Sequence, residues 1–111
     1  IREWNVDVPE IDVDELEHRL AAGATLVDVR EPDEYEQVRV PGGILVPLQS
    51  VPERLGEVPS AVTFYVICAK GGRSRAAAEF LRAEGRDAVN VAGGTTAWVE
   101  AGLPTESGSP A

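Results

Sequence analysis

The chain's single cysteine, Cys68, lies in the stretch Tyr-Val-Ile-Cys-Ala-Lys-Gly-Gly-Arg-Ser-Arg, from Tyr65 to Arg75. An apolar run leads into the thiol, Gly71 and Gly72 follow it, and Lys70, Arg73 and Arg75 surround it with positive charge. The two glycines permit the positive φ of a tight strand-to-helix turn. Such a turn aims several backbone N–H groups at one point, making a nest for an anion. A helix beginning near Arg73 or Ser74 would add unpaired N–H groups and the positive end of its dipole. All of these favour thiolate over thiol and predict a Cys68 pKa below its ordinary value of about 8.5. A small buried hydrophobe, the commonest role of free cysteine, requires none of them. The expectation is a nucleophilic cysteine inside an anion-binding ring.

The elements that must hold this ring read as alternating strands and helices. Asp12, with Glu15 three residues on, has capping-box spacing; Val13, Leu16 and Leu20 follow on one helical face, and Gly23 stops the helix. Thr25–Val29 reads as a strand, and Pro32 opens a short helix after it. Gly42–Leu48 reads as a second short strand ended by Pro47, and Ser50 is expected to cap a short helix over Ser50–Leu55. Ala61–Cys68 is the most apolar run, as a strand buried on both faces would be. Arg73–Gly85 predicts a helix with Ala76, Ala77, Phe80 and Leu81 on its apolar face. Asp87–Val91 and the segment from Gly93 supply a last strand and helix. This alternation predicts an α/β fold with a mainly parallel sheet of about five short strands and helices on both faces. Ligands of such sheets gather at the carboxyl ends of the strands, where Cys68 stands.

A chain of 111 residues is of single-domain length, and 43% apolar composition makes it globular. We expect an N-terminal arm at 1–9, which includes Trp4, a domain at 10–104, and a flexible tail at 105–111. A net charge of −9 opposes nucleic acid and anionic membranes as partners. Neither a signal peptide nor a membrane span is expected. One cysteine and one histidine leave no Cys/His zinc site, and a lone thiol suits a reducing cytoplasm.

The loop Cys68–Ser74, Cys-Ala-Lys-Gly-Gly-Arg-Ser, resembles the Cys-x-x-Gly-x-Arg-Ser active-site loop of rhodanese-type sulfurtransferases. Three further segments resemble that family in its order. They are Leu26–Glu36 (LVDVREPDEYE), Val40–Leu48 (VPGGILVPL) and Val91–Pro104 (VAGGTTAWVEAGLP). The resemblance implies a rhodanese-like fold without cofactor or metal. It implies sulfane-sulfur transfer, from a donor such as thiosulfate to a thiophilic acceptor or a sulfur-relay protein, through a Cys68 persulfide. The N–H groups from Ala69 to Ser74, including those of Lys70, Gly71 and Gly72, would hold the terminal sulfur. Arg73 would stabilise charge, Ser74 would cap the helix or donate to sulfur, and Lys70 would recognise donor or acceptor.

Two rival readings remain. One is a sulfur-carrier or interaction module of the same fold that turns over small donors poorly. The other is a cysteine phosphatase or arsenate reductase, but such phosphatases place one more residue between cysteine and arginine than the four found here. A tighter ring suits a single sulfur atom.

Asp28 ends a strand and should share the Cys68 edge. The resemblance gives it an orienting ion pair near the loop; alternatively it binds nearby backbone N–H groups. Arg30 is either its ion-pair neighbour or a pocket wall. His18 reads as a solvated helix residue and Trp98 as a core anchor. Gly93 and Gly94 read as a tight turn directed at the Cys68 edge. Arg39 stands where many family members have histidine, and Gly43 where they have alanine.

Overall fold

The computed structural model of the chain describes residues 7–109. Trp4 and most of the expected arm lie outside the described residues. Five parallel strands form one sheet in the order β1-β5-β4-β2-β3. They are β1 (Glu10–Ile11), β2 (Leu26–Asp28), β3 (Ile44–Leu45), β4 (Phe64–Ile67) and β5 (Ala88–Val91). The helices are α1 (Val13–Ala21), α2 (Pro32–Gln37), α3 (Gly72–Ala83) and α4 (Gly94–Glu100).

Strand alternation divides the core between the two faces. Val27, Phe64, Val66, Cys68 and Ala88 pack with Ala77, Ala78 and Leu81 of α3. Leu26, Tyr65, Ile67, Val89 and Val91 pack with Leu16 of α1 and Trp98 of α4. All four residues of β4 are buried, as expected for the central strand. The Trp98 indole donates to the Pro104 carbonyl at 2.7 Å, which satisfies its one polar atom within the core.

The structure corrects several sequence expectations. Asp12 caps α1 by accepting from the Glu15 N–H at 2.9 Å, but the Glu15 carboxylate pairs with Arg19 at 2.6 Å. The apolar face of α3 contains Ala78 in place of Ala76, which is exposed; Ser74, Ala77, Ala78 and Leu81 follow helical spacing from the observed start. The helix expected after Ser50 is replaced by two single 3₁₀ turns, Leu48–Ser50 and Leu55–Glu57. Ser50 closes the first turn instead of opening a helix; its carbonyl accepts from the Glu53 and Arg54 N–H groups at 3.1 and 3.0 Å, and the turn goes no further as a helix.

Both chain ends of the domain are tied down further than expected. Val8 is buried, and the Pro9 carbonyl accepts from the Asn90 N–H at 2.9 Å, so the end of the expected arm extends edge strand β1. The expected flexible tail is hydrogen-bonded: Arg39 and Glu106 exchange backbone bonds of 2.9 and 3.0 Å, and the Gly108 N–H reaches Glu36 at 2.7 Å. Arg39 supplies the reason. Its buried guanidinium lies 4.6 Å from the Tyr35 ring centre and donates to the Tyr35 and Gly108 carbonyls at 3.0 and 2.7 Å. At Gly43 a Cβ would meet Leu26 at 3.4 Å, so the pocket there admits alanine.

Candidate active site

Cys68 follows directly on β4, and the chain turns at once into α3. The turn depends on Gly71, which caps α3 at φ 111°, a left-handed conformation that residues with a side chain rarely adopt. Its N–H points back to the Cys68 sulfur at 3.1 Å, and the Ser74 hydroxyl donates to the same sulfur at 3.2 Å. The residue is 1% exposed. Burial pushes the thiol pKa up, yet hydrogen bonds from the Ser74 hydroxyl and from the N–H groups of Ser74, Gly71 and Lys70 outweigh it. The pKa therefore falls below its ordinary value. The sequence pointed to loop N–H groups, the helix start and three cations together; in the structure the Ser74 hydroxyl and the loop N–H groups carry the effect.

A second glycine turn holds the loop from behind. Gly93 and Gly94 both have positive φ, and a Cβ on Gly94 would come within 2.6 Å of the Ala69 carbonyl oxygen and closer still to that of Cys68. The start of α4 uses this close approach. The Thr95 N–H and hydroxyl bind the Cys68 carbonyl at 2.9 and 3.1 Å, and the Thr96 N–H binds the Ala69 carbonyl at 2.9 Å. With those carbonyls drawn toward α4, the loop N–H groups face the sulfur. The glycine pair pointed to this turn in the sequence, whereas nothing local marked Thr95 or Thr96.

A third support comes from the far edge of the sheet. The Asn90 side-chain amide spans the Gly71 carbonyl at 3.2 Å and the Glu10 carboxylate at 2.8 Å. Arg75 lies 3.4 Å from the same Glu10 carboxylate. Sequence reasoning missed both Asn90 and Glu10.

Arg73 is not a free cation. Its two terminal nitrogens each bond one oxygen of Glu34 at 2.8 Å, a fork-to-fork pair with side chains 38% and 31% exposed. The Arg73 guanidinium, working against partial burial and aided by the Glu31 N–H, holds the Glu34 carboxyl down at about 2. Glu34 in turn pushes the Arg73 pKa up, with a smaller contribution from Cys68. Glu34 also escaped the sequence reading; its spacing from Glu31 marks a helix start but not a partner 39 residues away.

Asp28 and Arg30 make a buried pair, 2% and 4% exposed, joined by bonds of 2.8 to 3.2 Å. Asp28 also accepts from the Arg30 N–H at 3.1 Å. No bond joins the pair to Cys68. Arg30 donates instead to the Glu34 and Val38 carbonyls at 3.3 and 2.8 Å, anchoring the helix from which Glu34 reaches Arg73. Lys70 and His18 are exposed, Lys70 on the loop and His18 on α1. Among the described residues no cluster of His, Cys, Asp or Glu is arranged to hold a metal, and no helix is long and apolar enough to cross a membrane.

Comparison with known proteins gives a consistent picture. The family model for the rhodanese-like domain matches residues 12–101. A sulfurtransferase of Allochromatium vinosum is 37% identical over 87% of this chain and 94% of its own length. A Bacillus subtilis protein named for a sulfur-carrier role, YrkF, is 33% identical over 82% of this chain, which spans 51% of that protein. The crystal structure of a rhodanese-related protein from Thermoplasma volcanium superposes with a TM-score of 0.83 at 35% identity, covering 88% of this chain and 97% of that one. A thiosulfate sulfurtransferase from Pseudomonas aeruginosa gives a TM-score of 0.82 at 30% identity, covering 91% of this chain and 20% of that one.

Proposed function

The chain belongs to the rhodanese-like domain family, and on that premise we propose that it is a sulfurtransferase working through a Cys68 persulfide. The Cys68 thiolate attacks the outer sulfur of a sulfane donor such as thiosulfate. A bond forms from Sγ to that sulfur, the donor S–S bond breaks, and the leaving group departs with the electron pair. A thiophilic acceptor or a relay protein then attacks the outer sulfur, and Cys68 leaves as thiolate. These 111 residues hold no second cysteine that could take the sulfur, so the acceptor lies outside them. A reducing cytoplasm suits this lone thiol.

The observation that carries the reading is the convergence of the Gly71 N–H and the Ser74 hydroxyl on one sulfur, at 3.1 and 3.2 Å. Backbone donors of Ala69, Lys70, Gly71, Gly72 and Ser74 would receive the persulfide, whose negative charge they can share without moving. Arg73 would face the charge on the departing group and Lys70 would recognise donor or acceptor at the rim. Asp28 and Arg30 would support them by fixing α2. The test is intact mass after incubation with thiosulfate and, separately, with a hydropersulfide. Gain of one sulfur atom, reversed by reductant and lost in Cys68→Ala, supports the proposal; no uptake from either donor overturns it.

The sulfur-carrier reading draws support from the likeness to YrkF. It predicts loading of Cys68 with little release to cyanide and rapid release to a protein acceptor.

A further inference from the structure

The cations near Cys68 are less available than their number suggests. Arg73 is occupied by both oxygens of Glu34, and Arg75 lies beside Glu10. Arg30 is buried on Asp28. Glu31, which precedes α2, is close enough to act on the Arg73 charge as well. Among the described residues, Lys70 is the loop cation that makes no ion pair. The Glu34 carboxylate stays ionised at neutral pH, so no protonation step releases Arg73.

A dianion approaching this mouth meets one free ammonium, a neutralised guanidinium and an additional carboxylate. A donor of low charge meets no such opposition, because its outer sulfur needs only the loop N–H groups and Ser74. Resting on the sulfurtransferase reading above, we propose that Glu34 is a specificity residue that turns the site away from dianionic donors and toward hydropersulfides, R–S–SH, of low charge. In the loading step Cys68 Sγ bonds to the terminal sulfur, the R–S–SH sulfur–sulfur bond breaks, and RS⁻ leaves and takes up the proton. The products are the Cys68 persulfide anion and RSH, with no net oxidation. Glu34 acts through Arg73 and so positions and screens that group without touching the reacting sulfur.

The experiment compares kcat/KM for thiosulfate and for N-acetylcysteamine hydropersulfide, whose organic part is uncharged, in the whole chain and in Glu34→Gln. Glutamine keeps an oxygen for the Glu31 N–H, which Glu34 now receives at 2.9 Å. Wild type is expected to favour the hydropersulfide by about 100-fold, and Glu34→Gln to raise thiosulfate turnover about tenfold while leaving the other donor within about threefold. Glu31→Gln, which leaves the Arg73 fork in place, should move the ratio the same way by about threefold and serves if Glu34→Gln does not fold. Equal use of the two donors by wild type, or equal changes in both donors in the variants, would overturn the assignment while leaving sulfur transfer intact. Failure of both donors to load Cys68 removes the parent reading and this one with it.

Discussion

Thr95 holds the Cys68 carbonyl twice, through its N–H at 2.9 Å and its hydroxyl at 3.1 Å, from a helix 27 residues further along the chain. The cysteine loop is therefore shaped as much by the start of α4 as by its own glycines. Gly94 makes this possible, since no side chain fits between the two backbones.

Gly94→Ala should destabilise the fold by about 2–4 kcal/mol, combining backbone collision with a strained positive φ. Urea unfolding measures this. The Cys68 alkylation rate at neutral pH should fall in the same variant, because the displaced loop no longer aims its N–H groups at sulfur. Wild-type stability and alkylation would refute the close-approach argument.

Ser74→Ala removes the hydroxyl that donates to the Cys68 sulfur at 3.2 Å. The Cys68 pKa, followed by ultraviolet thiolate absorbance, should rise. Folding linkage gives a second readout. The folded pKa lies below the unfolded value, so the thiolate's contribution to stability is present above about 8.5 and is lost as pH falls through the folded pKa. Ser74→Ala should shrink this pH-dependent gain.

Arg73→Ala should lower turnover with thiosulfate by about 100-fold or more and leave the fold intact. The stability change should stay within about 1 kcal/mol, because the ion pair it removes is about a third exposed. Arg73→Lys should not restore activity, since an ammonium lacks the planar fork that can meet two oxygens of the departing group at once. Unchanged turnover in Arg73→Ala would refute its role.

The Arg73–Glu34 pair also has an acid signature. Glu34 titrates at about 2 when folded, against about 4.3 for a free side chain. The depressed carboxyl contributes stability that is fully present above about 4.3 and is lost as pH falls toward 2. Solvent keeps that contribution under about 1 kcal/mol. Urea midpoints of wild type and Glu34→Gln should therefore converge across that acid interval; a constant gap would contradict it.

Asp28→Asn leaves Arg30 buried without its counter-charge and should cost about 3–5 kcal/mol. Arg39→Ala should instead free the end of the chain: hydrogen exchange at Glu106 and Gly108 should accelerate, with Cys68 alkylation unchanged. Together the two variants distinguish support of α2 from attachment of the tail.

Much of the fold was legible because its signals are local. Asp12 and Gly23 bracket α1, Pro32 opens α2, and the apolar β4 run ends at the thiol. The loop geometry at Gly71 and Ser74 follows from seven consecutive residues. Glu34, Thr95 and Asn90 were hidden, since each acts on a backbone or side chain brought near only by the parallel sheet. The charge around Cys68 was misread for the same reason: sequence counts cations, whereas pairing with Glu34 and Glu10 is a product of folding. The Ser50 region departed from expectation because its carbonyls are satisfied within separate turns, with no helical ladder carried past Arg54.

The dependence of the loop on Gly94, Thr95 and Thr96 ties reactivity to the docking of α4. A ribosome-bound chain that has released β4 and α3 but not α4 carries Cys68 without the groups that draw its carbonyls aside. Its thiol should then alkylate at the rate of an unfolded cysteine, and nucleophilic character should appear only once the final helix docks.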